Sequence, residues 1–238
     1  MERLDKFLAS RGAGSRKEVQ KLIKSGAVSV NGAVCQQIDV KVDETAAVTV
    51  NGQAVGERLV YLMLNKPAGV VSATEDRRER TVIDILPDAY KRRGLFPAGR
   101  LDKDTEGLLL LTNDGDLAHR MLSPKKHVGK TYVAQLDGAV TEDMQRRFAE
   151  GIVFADGTKC LPAQLQTDEN KGENTGIVTI YEGKFHQVKK MFAVCGRKVV
   201  HLQRISIGNL YLDSNLPIGQ CKSLTYLDIQ RIFIGNIH

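Results

Sequence analysis

Gly99-Arg100-Leu101-Asp102-Lys103-Asp104-Thr105-Glu106-Gly107, continuing into Leu108-Leu109-Leu110-Leu111 and Thr112-Asn113-Asp114-Gly115, is the stretch from which the rest of the chain is read. Four consecutive leucines bounded by turn signals predict a short, fully buried strand. Asn-Asp-Gly predicts the turn that ends it. The loop entering the strand sets one arginine and two aspartates between glycines. A cation and a carboxylate are thereby held at the rim of a core strand, where a rigid scaffold positions a loop. Such a loop is read either as a structural ion pair or as a site.

At 238 residues the chain suits one large or two modest domains with a sizeable core. A net charge of +6 and a pI near 9.1 fit a polyanionic partner without requiring one. Cys35, Cys160, Cys195 and Cys221 lie far apart, with no Cys-x-x-Cys and no zinc-like spacing. They point to a reduced, cytoplasmic setting rather than a disulfide scaffold. The charged start Met1-Glu2-Arg3-Leu4-Asp5-Lys6 and the lack of any membrane-length apolar run predict no secretion signal and no membrane association.

Upstream, Leu4, Phe7 and Leu8 share a helical face over residues 3–11, which Gly12 and Gly14 break. Ser15-Arg16-Lys17-Glu18 spells a capping box opening a second helix, which Gly26 stops. That helix buries Val19, Leu22 and Ile23 and leaves Arg16, Lys17, Lys21 and Lys24 in water. Residues 1–30 hold seven Lys/Arg against three acids, so +4 of the chain's +6 sits there. Val28-Ser29-Val30 and Val48-Thr49-Val50 each alternate into an Asn-Gly turn, as hairpin strands do.

Downstream of a linker at 56–58, the pattern predicts a strand over 60–64 that stops at Asn65-Lys66-Pro67, and a short helix over 81–86. It predicts further helices at 117–122, after Thr141, and within 182–192, the last ending before Gly196. Strands follow at 132–136, in 161–181 around a turn near 170–174, and as pieces at 199–200, 205–207 and 210–212. A basic loop, Ser123-Pro124-Lys125-Lys126-His127, leads to Lys130. The fold class is α+β: a small helical-plus-hairpin domain over 1–56, then a larger domain over 59–238 whose sheet is mostly antiparallel and flanked by helices.

Arg-Leu-Asp-Lys-Phe-Leu at 3–8, Ser-Arg-Lys-Glu at 15–18, Lys-Leu-Ile-Lys-Ser-Gly at 21–26 and Val-Ser-Val-Asn-Gly at 28–32 resemble the S4-type RNA-binding domain. Gly69-Val70-Val71-Ser72-Ala73, Gly-Arg-Leu-Asp at 99–102 with its leucine sequel, Lys130-Thr131-Tyr132, the Gly183–Met191 segment and Arg204-Ile205-Ser206-Ile207-Gly208 resemble, in order, the small-subunit rRNA pseudouridine synthases. The resemblance implies isomerisation of one uridine in 16S rRNA, with no metal and no organic cofactor. It implies Asp102 as the catalytic carboxylate, Tyr132 as a catalytic residue that stacks on the uracil, Lys189 as the catalytic basic partner of Asp102, Val188 against the ring, and Arg100 holding the target nucleotide out of its stack. The Tyr132 hydroxyl is further expected to serve the proton transfer that the rejoined carbon requires. Lysine at 189, where other branches carry arginine, resembles the small-subunit branch.

An ionised carboxylate suits this chemistry, since the base leaves its ribose and returns through carbon, much as glycosidases handle a sugar. Asp104, two residues on, is expected on the opposite face, capping the turn. His186 is read as fixing a helix start. Arg3, Lys6, Arg16, Lys17, Lys21, Lys125, Lys126 and Lys130 are the expected RNA contacts, with Arg16 and Lys17 aided by a helix N-terminus. The expected partner is 16S rRNA or a small-subunit assembly intermediate, met by a monomer. Two other readings are weighed: a 23S rRNA synthase of the same fold, disfavoured by the short stretch after Leu224-Thr225, and an idle S4-type RNA-binding or ribosome-assembly factor, disfavoured by Asp102, Tyr132 and Lys189.

Overall fold

A computed structural model describes residues 1–234 except 44, 57–58, 92, 124–125 and 169. Two compact units divide the chain, Met1–Leu59 and Val60–His238. The first contains β1 (Glu2–Arg3), α1 (Leu4–Ala9), α2 (Arg16–Lys24), β2 (Val28–Val30), β3 (Ala33–Val34), β4 (Lys41–Val42), β5 (Val48–Val50) and β6 (Gln53–Ala54). The Ser15 hydroxyl accepts from the Glu18 amide at 3.4 Å and Glu18 accepts from the Ser15 amide at 2.7 Å, so the capping box forms. Asn31 and Asn51 take positive φ, which their Asn-Gly turns require. Leu4, Leu8, Val19, Ile23, Val28 and Val48 close a small core.

The second unit is built on one large sheet. Its elements are β7 (Tyr61–Lys66), α3 (Asp88–Lys91), β8 (Phe96–Pro97), β9 (Glu106–Thr112), α4 (Gly115–Leu122), β10 (Lys130–Leu136), α5 (Glu142–Glu150), β11 (Gln164–Thr167), β12 (Thr175–Ile180), α6 (Gln187–Val194), β13 (Val199–Ile207), β14 (Leu210–Tyr211), β15 (Cys221–Ser223) and α7 (Tyr226–Gln230). The strand order is β11-β12-β10-β13-β9-β7-β15, with β14 beside β13 and β8 beside β9. Among the described strands of this sheet only β13 and β9 pair in parallel, so the sheet is mixed and mostly antiparallel, as expected for this α+β chain.

The four leucines occupy β9 and are fully buried, between β7 and β13. Two departures have local causes. Residues 81–86 form turns rather than a helix: Thr81 and Asp84 exchange the bonds of a helix start (Thr81 amide to the Asp84 carboxylate, 2.8 Å), but Pro87 stops it, since proline disfavours a helical residue before it. The short helix α3 starts only after Pro87. Residues 199–207 are one strand, not two pieces, because β10 and β9 hold its polar middle from either side.

Two features place the 99–105 loop. Gly107 has φ +98°, and a Cβ there would lie 2.3 Å from the Arg204 carbonyl oxygen, so only glycine lets β9 approach β13 this closely. Beneath the loop, Lys66 is 0 % exposed, and its Nζ donates to the carbonyls of Thr105 (2.8 Å), Pro67 (3.0 Å), Asp102 (3.1 Å) and Lys103 (3.3 Å). Burial pulls this ammonium down to about 8, against the raising charges of Asp104, Glu106 and Asp102. The strand therefore runs through Lys66 rather than stopping before it.

Gly107→Ala should lower the unfolding free energy by about 3 kcal/mol or more. Gly157→Ala, also at positive φ but facing open space, should cost only about 1–2 kcal/mol. Urea denaturation of both variants measures the difference. Lys66→Met strips buried carbonyls of their donor and should cost at least about 2 kcal/mol in the same assay.

Candidate active site

A cleft of about 880 Å³ opens in the second unit, and Arg100, Asp102, Lys130, Tyr132, Val188, Lys189 and Arg204 all line it. Its floor is the β10–β13 pair. Its rim is the 99–105 loop on one side and the start of α6 on the other. Residues far apart in sequence meet here because β9 and β10 both neighbour β13.

Asp102 sits between Lys66 below, which grips its carbonyl, and Lys189 above. The Lys189 Nζ lies 3.0 Å from Asp102 Oδ2 and 2.5 Å from Asp104 Oδ1. Burial lowers the Lys189 ammonium, but the hydrogen bonds and charges of both aspartates outweigh it and hold it above its usual range. The Lys189 hydrogen bond holds the Asp104 carboxyl below the usual carboxylate range. Asp104 thus does not point away from Asp102. The segment is a turn closed by the Thr105 amide on the Asp102 carbonyl (3.1 Å), so the alternation of a strand does not apply.

His186 precedes α6 in the left-handed region (φ +53°) and makes no side-chain cap. Its Nε2 lies 3.6 Å from Asp102 Oδ1, and its ring stacks on Phe185 at 3.8 Å. The backbone that starts α6 is closed instead by Gln187, which accepts from the Lys184 amide at 2.8 Å.

Tyr132 is 8 % exposed on β10 and lies opposite Arg204 of β13. Val188 is buried at the start of α6, and Arg100 is exposed at the rim. Lys130 is two residues from Tyr132 and therefore shares its face. It is 8 % exposed in the cleft, not on the basic loop. Lys126 is exposed, and Lys125 lies outside the described residues.

In the first unit, Arg3, Lys6, Arg16, Lys17 and Lys21 are all exposed. Two of them, Arg3 and Arg16, are held by a residue the sequence did not single out. Asp5 is 0 % exposed and accepts from Arg3 Nε (3.1 Å), Gln20 Nε2 (3.1 Å) and the Lys6 amide (2.9 Å), with Arg16 at 3.8 Å. Burial pushes its carboxyl up, but these bonds and charges bring it below its ordinary value. Lys66 and Arg204 were likewise missed as site residues. A lysine ending an apolar run just before Pro67 was the one available signal for the former. Among the described residues no group of three or more His, Cys, Asp or Glu could hold a metal ion, and no helix is long and apolar enough to cross a membrane.

The RNA pseudouridylate synthase family profile matches residues 60–194, and the S4 domain profile matches residues 2–48. An uncharacterised RNA pseudouridine synthase of Bacillus subtilis is 50 % identical, covering 94 % of this chain and 95 % of its own. A ribosomal small subunit pseudouridine synthase A of Vibrio vulnificus is 42 % identical, with coverage of 97 % and 99 %. A ribosomal large subunit pseudouridine synthase B of Bacillus subtilis is 40 % identical, with coverage of 98 % and 96 %. A crystal structure of a pseudouridylate synthase superposes with a TM-score of 0.70 at 36 % identity, covering 98 % of this chain and all of that one. The chain belongs to the RNA pseudouridylate synthase family and carries an S4 domain at its N-terminus.

Proposed function

We propose that this protein isomerises one uridine of 16S rRNA to pseudouridine without a cofactor, as a cytoplasmic monomer acting on the RNA or on a small-subunit assembly intermediate. The observation that carries the reading is Asp102 in a nucleotide-sized cleft with Lys189 3.0 Å from its carboxylate. The Lys189 ammonium beside it supplies the opposite charge that the carboxylate faces across the cleft mouth. In this reading Asp102 acts at the sugar–base bond, Tyr132 stacks on the freed ring and Val188 packs its other side. Arg100 at the rim holds the extruded nucleotide by its phosphates. Residues 1–56 supply RNA affinity through Arg3, Lys6, Arg16, Lys17 and Lys21, and residues 59–238 supply the chemistry.

Lysine at 189 supports the small-subunit target. A large-subunit target is the second reading, supported by the 40 % identity to a relative named for that subunit. Mapping pseudouridine in both rRNAs from cells lacking the protein separates them. One site lost from 16S rRNA supports the first, one lost from 23S rRNA the second, and no loss from either removes both.

Restoring those cells with Asp102→Asn should leave the site unmodified while the variant still binds RNA. Turnover within tenfold of the parent, about 1.4 kcal/mol of barrier, would remove Asp102 from the chemistry. The charge of α2 has its own readout. Lys17→Gln with Lys21→Gln should reduce the salt dependence of RNA binding by a slope of about 1.4–1.8, because each lysine paired with a phosphate displaces roughly one counterion. An unchanged slope would place the RNA elsewhere.

A further inference from the structure

Lys130 and Arg204 are adjacent cations on the cleft floor, and neither has a carboxylate within 4 Å among the described residues. Lys130 is 8 % exposed and Arg204 4 %. Arg204 spends its Nε on the Leu108 carbonyl at 2.8 Å, and its buried Nη2 has no partner. Thr105 Oγ1, also buried in the cleft lining, has none either. Burial, with the Arg204 charge beside it, pulls the Lys130 ammonium down to about 8. The acids lining the cleft are committed elsewhere: Asp102 to Lys189, Glu182 to Lys184 and Gln187, and Asp76 to the amides of Arg78 and Glu79. Two like charges buried together without a counter-ion are unfavourable, and the unpaired buried Nη2 of Arg204 adds to the cost. An arrangement of this kind is complete only when a ligand brings electron-rich oxygens.

We infer that Lys130 and Arg204 receive the carbonyl oxygens of the uracil ring and stabilise the negative charge the ring carries after it leaves the sugar. This rests on the isomerase reading above. A backbone phosphate suits the site less well, because its two ester links would have to follow it down to the sheet. Arg100, exposed at the rim, is placed for that group. A flipped base lying against Tyr132 has its polar edge within the reach of the neighbouring positions, since Arg204 is the cross-strand partner of Tyr132 and Lys130 shares its face.

The electron count agrees. When the N1–C1′ bond breaks, its electron pair goes to the ring and spreads over N1, O2 and O4. After the ring turns, C5 bonds to C1′, C5 gives up its proton, and N1 takes one up, so the product is an isomer of the substrate. The charge exists only between these two bond changes. Donors fixed in a dry cleft act most strongly on a charge of that kind. Lys130 and Arg204 would therefore be catalytic residues in addition to Asp102.

The test uses the full chain and two readouts. The first is 5-nitrouracil, a free pyrimidine whose ionised and neutral rings absorb differently. Bound to the parent it should ionise about one pH unit or more below its midpoint in buffer, a tenfold preference for the anion. Lys130→Met should return the midpoint to the buffer value without changing the circular dichroism, and Lys130→Arg should keep it low. The second readout is single-turnover conversion of transcribed rRNA. Lys130→Met should slow it by about 10²-fold at unchanged RNA affinity, with partial recovery in Lys130→Arg. A probe that fails to bind the parent or titrates as in buffer overturns the inference, as does a Lys130→Met rate within about threefold of the parent's. If the parent converts no uridine in any rRNA, the isomerase reading fails, and the probe titration still decides this one.

Discussion

One buried ammonium fixes the loop that carries Asp102 and Asp104. Lys66 ends β7 under the 99–105 loop and gives its hydrogens to the carbonyls around Asp102. A charged group this deep is costly unless every donor is satisfied. The loop satisfies them by curling its carbonyls inward, which turns the carboxylates of Asp102 and Asp104 outward toward α6. Ser72 closes the other side, donating to the Leu101 carbonyl at 2.8 Å and accepting its amide at 3.1 Å. The loop is thus tied down from two directions.

The same chain uses charge in three distinct ways. Asp5 gathers surface cations of the first unit, so that Arg3 and Arg16 stay outward but held. Lys189 answers Asp102 directly across the cleft mouth. Lys130 and Arg204 have no carboxylate to answer them among the described residues. A pair that is satisfied contributes to the fold, whereas a pair that is not is a demand on a ligand. The sheet supplies this contrast by bringing β9, β10 and β13 together with Gly107 at their closest approach.

Much of this was legible in the sequence, and the gaps have physical reasons. The run Leu108–Leu111 marked the central strand because burial on both faces removes alternation. Ser15 with Glu18 marked the start of α2 because the capping chemistry is local. The motif words located Asp102, Tyr132, Val188 and Lys189, which the structure brings to one cleft. Local pattern failed where long-range contacts decide. His201, Gln203 and Arg204 interrupt the apolar signal of β13, yet two neighbouring strands keep it continuous. Asp104 was misdirected by reading a turn as a strand. Lys66 and Lys130 looked like surface lysines, since nothing adjacent in sequence announces a carbonyl cage or a cleft floor. The strand β15 and helix α7 went unread because their residues carry no strong period.

Hydrogen exchange on the unliganded protein tests whether the 99–105 loop is a fixed part of the core before RNA arrives. The Leu101 amide is bonded to Ser72 and the Thr105 amide to the Asp102 carbonyl, over a fully buried lysine that holds the Thr105 carbonyl. Both should exchange in the same slow class as the amides of β9. Exchange of both at the rate of an open surface loop, with β9 still protected, would contradict the account.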